Sequence, residues 1–152
     1  MSQGQDGVHL ETSLGYLVKE TAHALRVAME AVLRPLGMTV THYSCLELLA
    51  QRPGLSSSDL ARGTFVTRQS MNVLLQALEH DGLVTRPAQA PAGRTLPTTL
   101  TDAGRAQLTT ASAAVRAVED RMLRGLDGAD RSRLRALLTS CRAALATSPT
   151  DP

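Results

Sequence analysis

The feature that most constrains the fold is a pair of helices with very little chain between them, in the stretch GLSSSDLARGTFVTRQSMNVLLQALEHDGLV. Ser56, followed three residues later by Asp59, forms a capping box and predicts a short helix that ends near Arg62. Gly63–Thr64 is then expected to turn the chain, and Thr67 to cap a second, longer helix. Two helices joined with so little slack are typical of a helix-turn-helix unit.

The second helix of this pair has two different faces. Apolar residues recur at steps of three and four and predict a buried face: Met71, Leu74, Leu75 and Leu78. The opposite face carries long polar side chains: Arg68, Gln69, Asn72 and Gln76. In the major groove of DNA, Arg pairs with guanine, and Gln or Asn pairs with adenine. An ordinary solvated face would more often mix Glu and Lys, and the neighbouring short helix further favours DNA reading.

Small hydroxyl side chains gather at the starts of both helices. Helix N-termini present unpaired N–H groups and partial positive charge to an anion, and small hydroxyls let a phosphate approach closely. The sequence therefore predicts phosphate contacts at Ser56, Ser57, Ser58, Thr67 and Ser70.

A hairpin is predicted after Gly82, where the segments LVTRP and RTLPTTLT are extended in character and PAQAPAG between them is rich in turn residues. Pro87 and Pro97 are tolerated only at strand ends or edges, so the strands should be short. Candidate DNA contacts on the hairpin are Arg86, Arg94 and Thr95. Arg94 lies near the tip, where an Arg can enter the minor groove.

Long amphipathic helices are predicted on both sides of this unit. One spans about Glu11 to Leu33, and another runs from a cap at Thr101 to about Leu123. A break from Leu126 to Asp130 precedes a last helix, and a helix capped by Thr39 and ended by Pro53–Gly54 joins the first helix to the central unit. The apolar stripes of the first and last helices exceed what one small lobe covers, which predicts a homodimer.

Composition narrows the function classes. Aromatic residues make up 2% and hydrophobic residues 43% of the 152 residues, so the core must be aliphatic and helical. The formal net charge of +2 gives no general basic field that would by itself indicate nucleic acid. No apolar run approaches the ~18 residues of a membrane span, and no signal peptide is recognised at the start. We expect a soluble, cytoplasmic protein.

Catalytic and metal-binding motifs are not recognisable in the sequence. We find no nucleophile–base pair, no phosphate loop and no His or Cys set at metal-ligand spacing, so we expect neither an enzyme nor a cofactor or metal. Cys45 and Cys141 lie in apolar helical patterns and are expected to be buried, reduced thiols. A redox-sensing role for Cys45 is the alternative, although no local base activates it.

The order of these segments resembles a known family. A helix, PLGMT, a second helix, GLSSSDLA, VTRQSMNVLLQALEHDGLV, a loop ending in Arg, and LTDAGR together resemble the MarR family of winged helix-turn-helix regulators over nearly the whole chain. The most specific parts are the recognition-helix segment with its LxxxGLV ending and the LT-x-x-G after the hairpin.

The resemblance implies a mainly α fold with a small β-hairpin wing. Residues 1–36 would form an N-terminal dimerisation helix, 37–100 the DNA-binding lobe and 101–152 the C-terminal dimerisation helices. It implies a homodimeric, sequence-specific regulator that represses from pseudo-palindromic double-stranded operators and is often released by a small aromatic or phenolic ligand. The alternative is a helical dimeric interaction module that has lost operator binding.

One departure from the family pattern concerns the wing. The family usually carries Asp-x-Arg about eight residues before Leu-Thr, and those positions are here Ala92, Gly93 and Arg94. The Arg matches, but the carboxylate that usually orients it is missing. We therefore expect a more mobile Arg94 and weaker minor-groove recognition.

Candidate effector contacts come from the same resemblance. In the family, effectors bind between the dimerisation helices and the DNA-binding lobe, where His23, His42 and Tyr43 could contact an anionic or phenolic ligand. The other interpretation of each is an ordinary, partly buried polar residue.

Overall fold

The computed structural model of the chain describes residues 7–87 and 97–146. Within these ranges the fold is mainly α, as predicted, with one small antiparallel sheet. The helices and strands in chain order are α1 Leu14–Leu33, a 3₁₀ turn Arg34–Leu36, α2 Val40–Gln51, α3 Ser57–Thr64, α4 Arg68–His80, β1 Val84–Thr85, β2 Thr99–Leu100, α5 Asp102–Met122 and α6 Gly128–Ala146.

The helices begin where side-chain caps were predicted, with one exception. The hydroxyls of Thr39, Ser56, Thr67 and Thr101 each accept an N–H from the third residue beyond. The exception is α1, which starts at Leu14 rather than near Glu11, because the Ser13 hydroxyl accepts the N–H of the third residue beyond it at 3.1 Å.

The turn between α3 and α4 differs from the prediction. Gly63 and Thr64 belong to the last turn of α3, and the chain reverses at Phe65, whose backbone is left-handed with φ 60°. The N–H of Val66 reaches the carbonyl of Ala61 at 3.1 Å, which closes a Schellman motif. A Gly is the usual residue at that position, so the sequence pattern misplaced the turn by one or two residues. Gly63 serves packing instead.

The hydrophobic core lies in the central lobe. Helices α2, α3 and α4 pack on one another, and the start of α5 with the two strands closes the remaining side. The largest completely buried side chains of this core include Leu46, Leu49, Leu60, Met71 and Leu75. Aliphatic residues therefore fill the lobe, as the composition predicted.

The two strands are as short as the prolines predicted. Val84 pairs with Leu100 and Thr85 with Thr99, in antiparallel register. An isolated bridge between Leu55 and Thr98 ties the second arm of the hairpin to the residues just before α3. The wing base is thus anchored to the helix-turn-helix unit.

A close contact joins the end of α4 to the start of α5. A Cβ added at Gly104 would lie 2.2 Å from the carbonyl oxygen of Leu83, which excludes every other residue at this backbone position. The Thr101 hydroxyl donates to the Gly82 carbonyl at 2.6 Å and accepts the Gly104 N–H at 3.0 Å. This junction is the physical reason for the LT-x-x-G pattern.

The terminal helices are largely exposed in the single chain. α1 buries only Leu33, and α6 buries no residue. The break before α6 is shorter than predicted, because the helix already begins at Gly128 and includes Asp130. Cys141, expected to be buried, is exposed, since its apolar pattern marks a face that the single chain does not cover.

Candidate DNA-binding surface

The polar residues predicted on the second helix lie together on the exposed side of α4. Met71, Leu75 and Leu78 are buried and Leu74 is half-buried, as the periodicity predicted. Arg68, Gln69, Asn72 and Gln76 are exposed. The first turn of α4 carries no acidic residue, so nothing there repels a phosphate.

Arg68 is held by a neighbouring helix. Its Nε and Nη2 groups donate to the hydroxyl oxygen of Ser58 at 2.9 and 2.6 Å. The guanidinium therefore bridges the starts of α3 and α4, and no contact within residues 7–87 and 97–146 occupies its remaining N–H groups, which can pair with a base or phosphate. The sequence predicted both residues as separate contacts but not this connection.

The other predicted hydroxyls differ in availability. The half-buried Ser56 donates its hydroxyl and its backbone N–H to the Asp59 carboxylate at 2.8 and 3.3 Å, and these two bonds lower the pKa of that carboxyl. The same hydroxyl accepts the Asp59 N–H at 3.2 Å. The hydroxyl of Ser56 is thus occupied by the helix cap, while Ser57 beside it is half-buried. Thr67 donates to the hydroxyl of Ser70 at 2.9 Å, and both remain exposed.

Of the three DNA contacts predicted on the wing, Arg86 is the one that lies within the described residues. Arg86 has a side chain only 16% exposed, and its Nη2 lies 3.5 Å from a carboxylate oxygen of Glu79. It ties the wing base to the end of α4 rather than presenting a free cation. Arg94 and Thr95 lie outside the residues that the structure describes.

Two exposed apolar side chains near this surface were missed by sequence reasoning. Phe65 is 94% exposed at the turn before α4, and Val73 is 64% exposed one turn after Gln69. The scarcity of aromatic residues was a signal for Phe65, since one of only three stands in the helix-turn-helix turn.

The three candidate effector residues are not brought together. His42 lines a cavity of about 250 Å³ that lies between α2, the end of α4 and α5 and is partly open to solvent. Tyr43, on the next position of α2, is half-buried, and burial is the main reason that its pKa is raised. His23 is exposed on α1 and does not line this cavity.

The state of His42 follows from its contacts. Its Nδ1 accepts the Thr39 N–H at 3.2 Å, which completes a capping box at the start of α2. Burial lowers the pKa of His42, and the nearby Asp81 carboxylate opposes the shift. A neutral ring with Nδ1 as acceptor leaves Nε2–H as the donor.

Cys45 has the environment of an inert thiol. It is completely buried, with its Sγ 4.0 Å from the Sδ of Met71, and burial raises its pKa to about 12. Because the thiolate is the reactive form, the structure supports the structural interpretation over a redox sensor.

The described residues add two negative findings. Among 7–87 and 97–146, no group of three or more His, Cys, Asp or Glu residues is arranged to hold a metal ion. None of the helices in these ranges combines the length and apolar character that crossing a bilayer requires.

A tight two-helix unit with a polar exposed second helix, followed by a two-stranded wing, defines a winged helix-turn-helix protein. Comparison with known proteins gives the family. The MarR family model matches residues 36–95. The HTH-type transcriptional repressor Rv2887 of Mycobacterium tuberculosis is 43% identical over 132 residues, which is 87% of this chain and 95% of that protein. The chain belongs to the MarR family.

Solved structures give the same result. The crystal structure of Rv2887 in complex with DNA matches with a TM-score of 0.72 at 40% identity, over 86% of this chain and 98% of that one. Its complex with salicylic acid matches with a TM-score of 0.71 at 42% identity, over 90% and 98%. A MarR regulator from Silicibacter pomeroyi reaches 0.81 at 25% identity, over 93% and 96%.

Proposed function

We propose that this chain is a homodimeric, sequence-specific transcriptional repressor that binds double-stranded, pseudo-palindromic operators and is released by a small aromatic or phenolic ligand. The observation that carries the proposal is the exposed polar face of α4, which begins at Arg68 and has no acid in its first turn. The repressor activity of the Mycobacterium tuberculosis relative, and its structures with DNA and with salicylic acid, support it.

DNA reading follows from the geometry of α3 and α4. The start of α4 enters the major groove, where Arg68 and Gln69 face base edges and Asn72 follows one turn later. Ser58 holds the Arg68 side chain across the two helices, so less side-chain entropy is lost when the guanidinium docks. The exposed hydroxyls at the start of α4 contact the phosphate backbone.

Dimerisation follows from the terminal helices. Leu14, Leu17 and Val18 on α1 and Leu137, Leu138 and Leu145 on α6 are exposed large hydrophobics in the single chain. An apolar surface of this kind is covered by association, and a twofold dimer places two copies of α4 on two half-sites of one operator.

Release follows from the cavity beside His42. Its lining comes from both the end of α4, at Ala77 and Asp81, and the start of α5, at Gln107. A ring that occupies this space changes how α4 sits on α5, and so changes the spacing of the two reading helices. Asp81 is the charged residue of the lining, so an uncharged phenolic ligand that accepts from His42 Nε2–H suits it better than an anion.

Arg68→Ala tests DNA reading. Loss of a bidentate base contact costs ~1–3 kcal/mol and relaxes base preference at one position. The operator is obtained by sequencing genomic fragments that bind the purified protein, and affinities for it and for a random duplex are measured over a salt series. Arg124→Ala removes the same charge from the exposed α5–α6 connection and is the matched control.

Two outcomes contradict the DNA-reading proposal. If Arg68→Ala binds the operator and the random duplex with the same affinities as the parent does, α4 is not the reading helix. A parent protein that gives no salt-dependent mobility shift favours the interaction module instead.

Ala77→Leu tests the ligand site. The added bulk narrows the cavity mouth, and we expect it to weaken release from the operator by phenol, the uncharged ligand that the lining favours. Ala106→Leu adds the same bulk on exposed α5 outside the lining and should leave release unchanged. Unaltered release in Ala77→Leu places the ligand elsewhere.

A further inference from the structure

Phe65 combines two features that seldom occur together. Its backbone is left-handed, with φ 60°, and its side chain is 94% exposed. Among the described residues it is the only one other than glycine with a positive φ. It is also the most exposed large hydrophobic residue among those that the structure describes.

Folding gives no reason for a phenylalanine at this position. The left-handed backbone is unfavourable for a bulky side chain, whereas Gly or Asn adopts it readily. A buried ring could offset this strain by packing, but this ring lies in solvent. A residue that strains the backbone and contributes no packing points to a role outside the folded chain.

The position of Phe65 indicates which partner it meets. The Schellman motif at the end of α3 places it two residues before Thr67, the cap of α4, and three before Arg68. In a helix-turn-helix protein, this end of the second helix is the one that enters the major groove. The apolar surface of α1 and α6 lies on other elements, and α1 packs mainly on α5.

We propose that Phe65 is an apolar DNA contact, an inference that rests on the proposed function of α4. Its neutral ring has no attraction for phosphate oxygens, so its partner is the C–H surface of DNA at the groove edge. That surface consists of deoxyribose rings and the thymine methyl groups exposed in the major groove. The strained turn holds the ring out of the fold and beside Thr67, where it docks on DNA.

Replacement by a residue that prefers the same backbone separates binding from folding. Phe65→Asn removes the ring and suits the left-handed conformation, so its Tm should equal or exceed that of the parent. Its affinity for a short duplex from a genomic fragment that the parent enriches should fall about tenfold, as expected for losing part of a buried aromatic contact. Phe65→Leu retains an apolar side chain and should lose less.

Salt dependence distinguishes this contact from a charge contact. Phe65→Asn should keep the parent's slope of log affinity against log salt, because no counterion is released by a neutral ring, whereas Arg68→Ala should lower the slope if its arginine neutralises a phosphate.

Replacing thymine by uracil near the α4 contacts identifies the partner surface. A loss in the parent but not in Phe65→Asn assigns the methyl group, and no loss in either assigns the sugar.

Two outcomes overturn the inference. If Phe65→Asn binds the duplex as tightly as the parent while Arg68→Ala does not, Phe65 is no DNA contact and the proposed function stands. If Phe65→Asn has a lower Tm than the parent, the ring supports the fold instead. A parent that binds no duplex overturns both proposals.

Discussion

The central lobe and the terminal helices are built from the same aliphatic residues but complete different structures. In the lobe, Leu46, Leu60 and Leu75 are fully buried by neighbouring helices of the same chain. On α6, Leu137 is 58% exposed and Leu145 88% exposed. The lobe therefore forms its own core, whereas the terminal helices leave an apolar face exposed, which the proposed dimer would cover.

This difference shows that amphipathic periodicity alone does not say where a face is buried. The apolar residues of α4 are buried within the lobe, whereas those of α6 stay largely exposed in the single chain and would be buried in the proposed dimer. Perturbing each region should therefore affect a different quantity: folding of the lobe in one case, and the monomer–dimer equilibrium in the other. Four variants test this separation.

The largest effect is expected at the terminal helices. Leu17→Glu combined with Leu138→Glu places charges on exposed apolar positions of α1 and α6. Each lost leucine contact costs ~1.5–3 kcal/mol and occurs twice in a twofold dimer, so dimerisation should be lost at micromolar concentration. Analytical ultracentrifugation measures it, with Phe65→Asn as a control that removes an exposed apolar side chain elsewhere. A persistent dimer with these charges would place the interface on other surfaces.

Gly104→Ala should have the next largest effect, on the lobe. The added Cβ would meet the Leu83 carbonyl at 2.2 Å, and backbone cannot yield as a side chain tip can. We expect a loss of about 3 kcal/mol in the free energy of unfolding, as for severe overpacking, measured by urea denaturation. Gly125→Ala, where nothing lies within 4 Å, is the matched control. If Gly104→Ala and Gly125→Ala are equally stable, the backbone at the α4–α5 junction can move to make room for a Cβ.

A smaller, pH-dependent effect is expected at the start of α2. Burial lowers the pKa of His42 below 6.5 in the folded chain, so the unfolded chain binds a proton first as the pH falls. This contribution to stability is fully present above pH 6.5 and is lost as the pH falls towards the folded pKa, by at most ~1.4 kcal/mol per pH unit. His42→Gln can keep the cap without titrating, so thermal unfolding of this variant should lack that part of the pH dependence. If the parent and His42→Gln show the same dependence of stability on pH, His42 is not the titrating group.

The smallest effect is expected from Thr98→Val beneath the wing. The Thr98 hydroxyl is completely buried and has no hydrogen-bond partner in the part of the chain that the structure describes. Replacing it by a methyl group of similar shape should stabilise the lobe by about 1 kcal/mol. Thr99→Val is the control, because Thr99 is exposed and its hydroxyl lies 2.9 Å from that of Thr85. A destabilised Thr98→Val would indicate a bound water or another partner for the hydroxyl.

Local signals in the sequence predicted much of the fold and the exposed face of α4. Ser56, Thr67 and Thr101 were recognisable as caps because a cap depends on residues only three positions apart. Apolar spacing correctly predicted the buried face of α4 for the same reason. Pro87 and Pro97 correctly limited the strands, since a missing N–H is a property of the residue itself.

Contacts between distant segments could not be predicted in this way. The bond from Arg68 to Ser58 depends on how α3 crosses α4, and no local pattern specifies that angle. Gly63 was misread as a turn residue because its real constraint is Leu48, on another helix. The exposure of Cys141 depends on whether a partner chain covers α6.

The α4–α5 junction has a mechanical consequence. α5 has 21 residues and is a rod about 31 Å long, fixed at one end to the chain that leaves the reading helix through Gly104 and Thr101. A tilt of about 5° between rod and lobe displaces the far end by nearly 3 Å, roughly the rise of one base-pair step. In the proposed dimer, the distance between the two copies of the reading helix therefore depends on the angle between α5 and the lobe in each subunit. A ligand bound at this junction would need to change that angle only slightly to move the two reading helices away from the spacing of the operator half-sites.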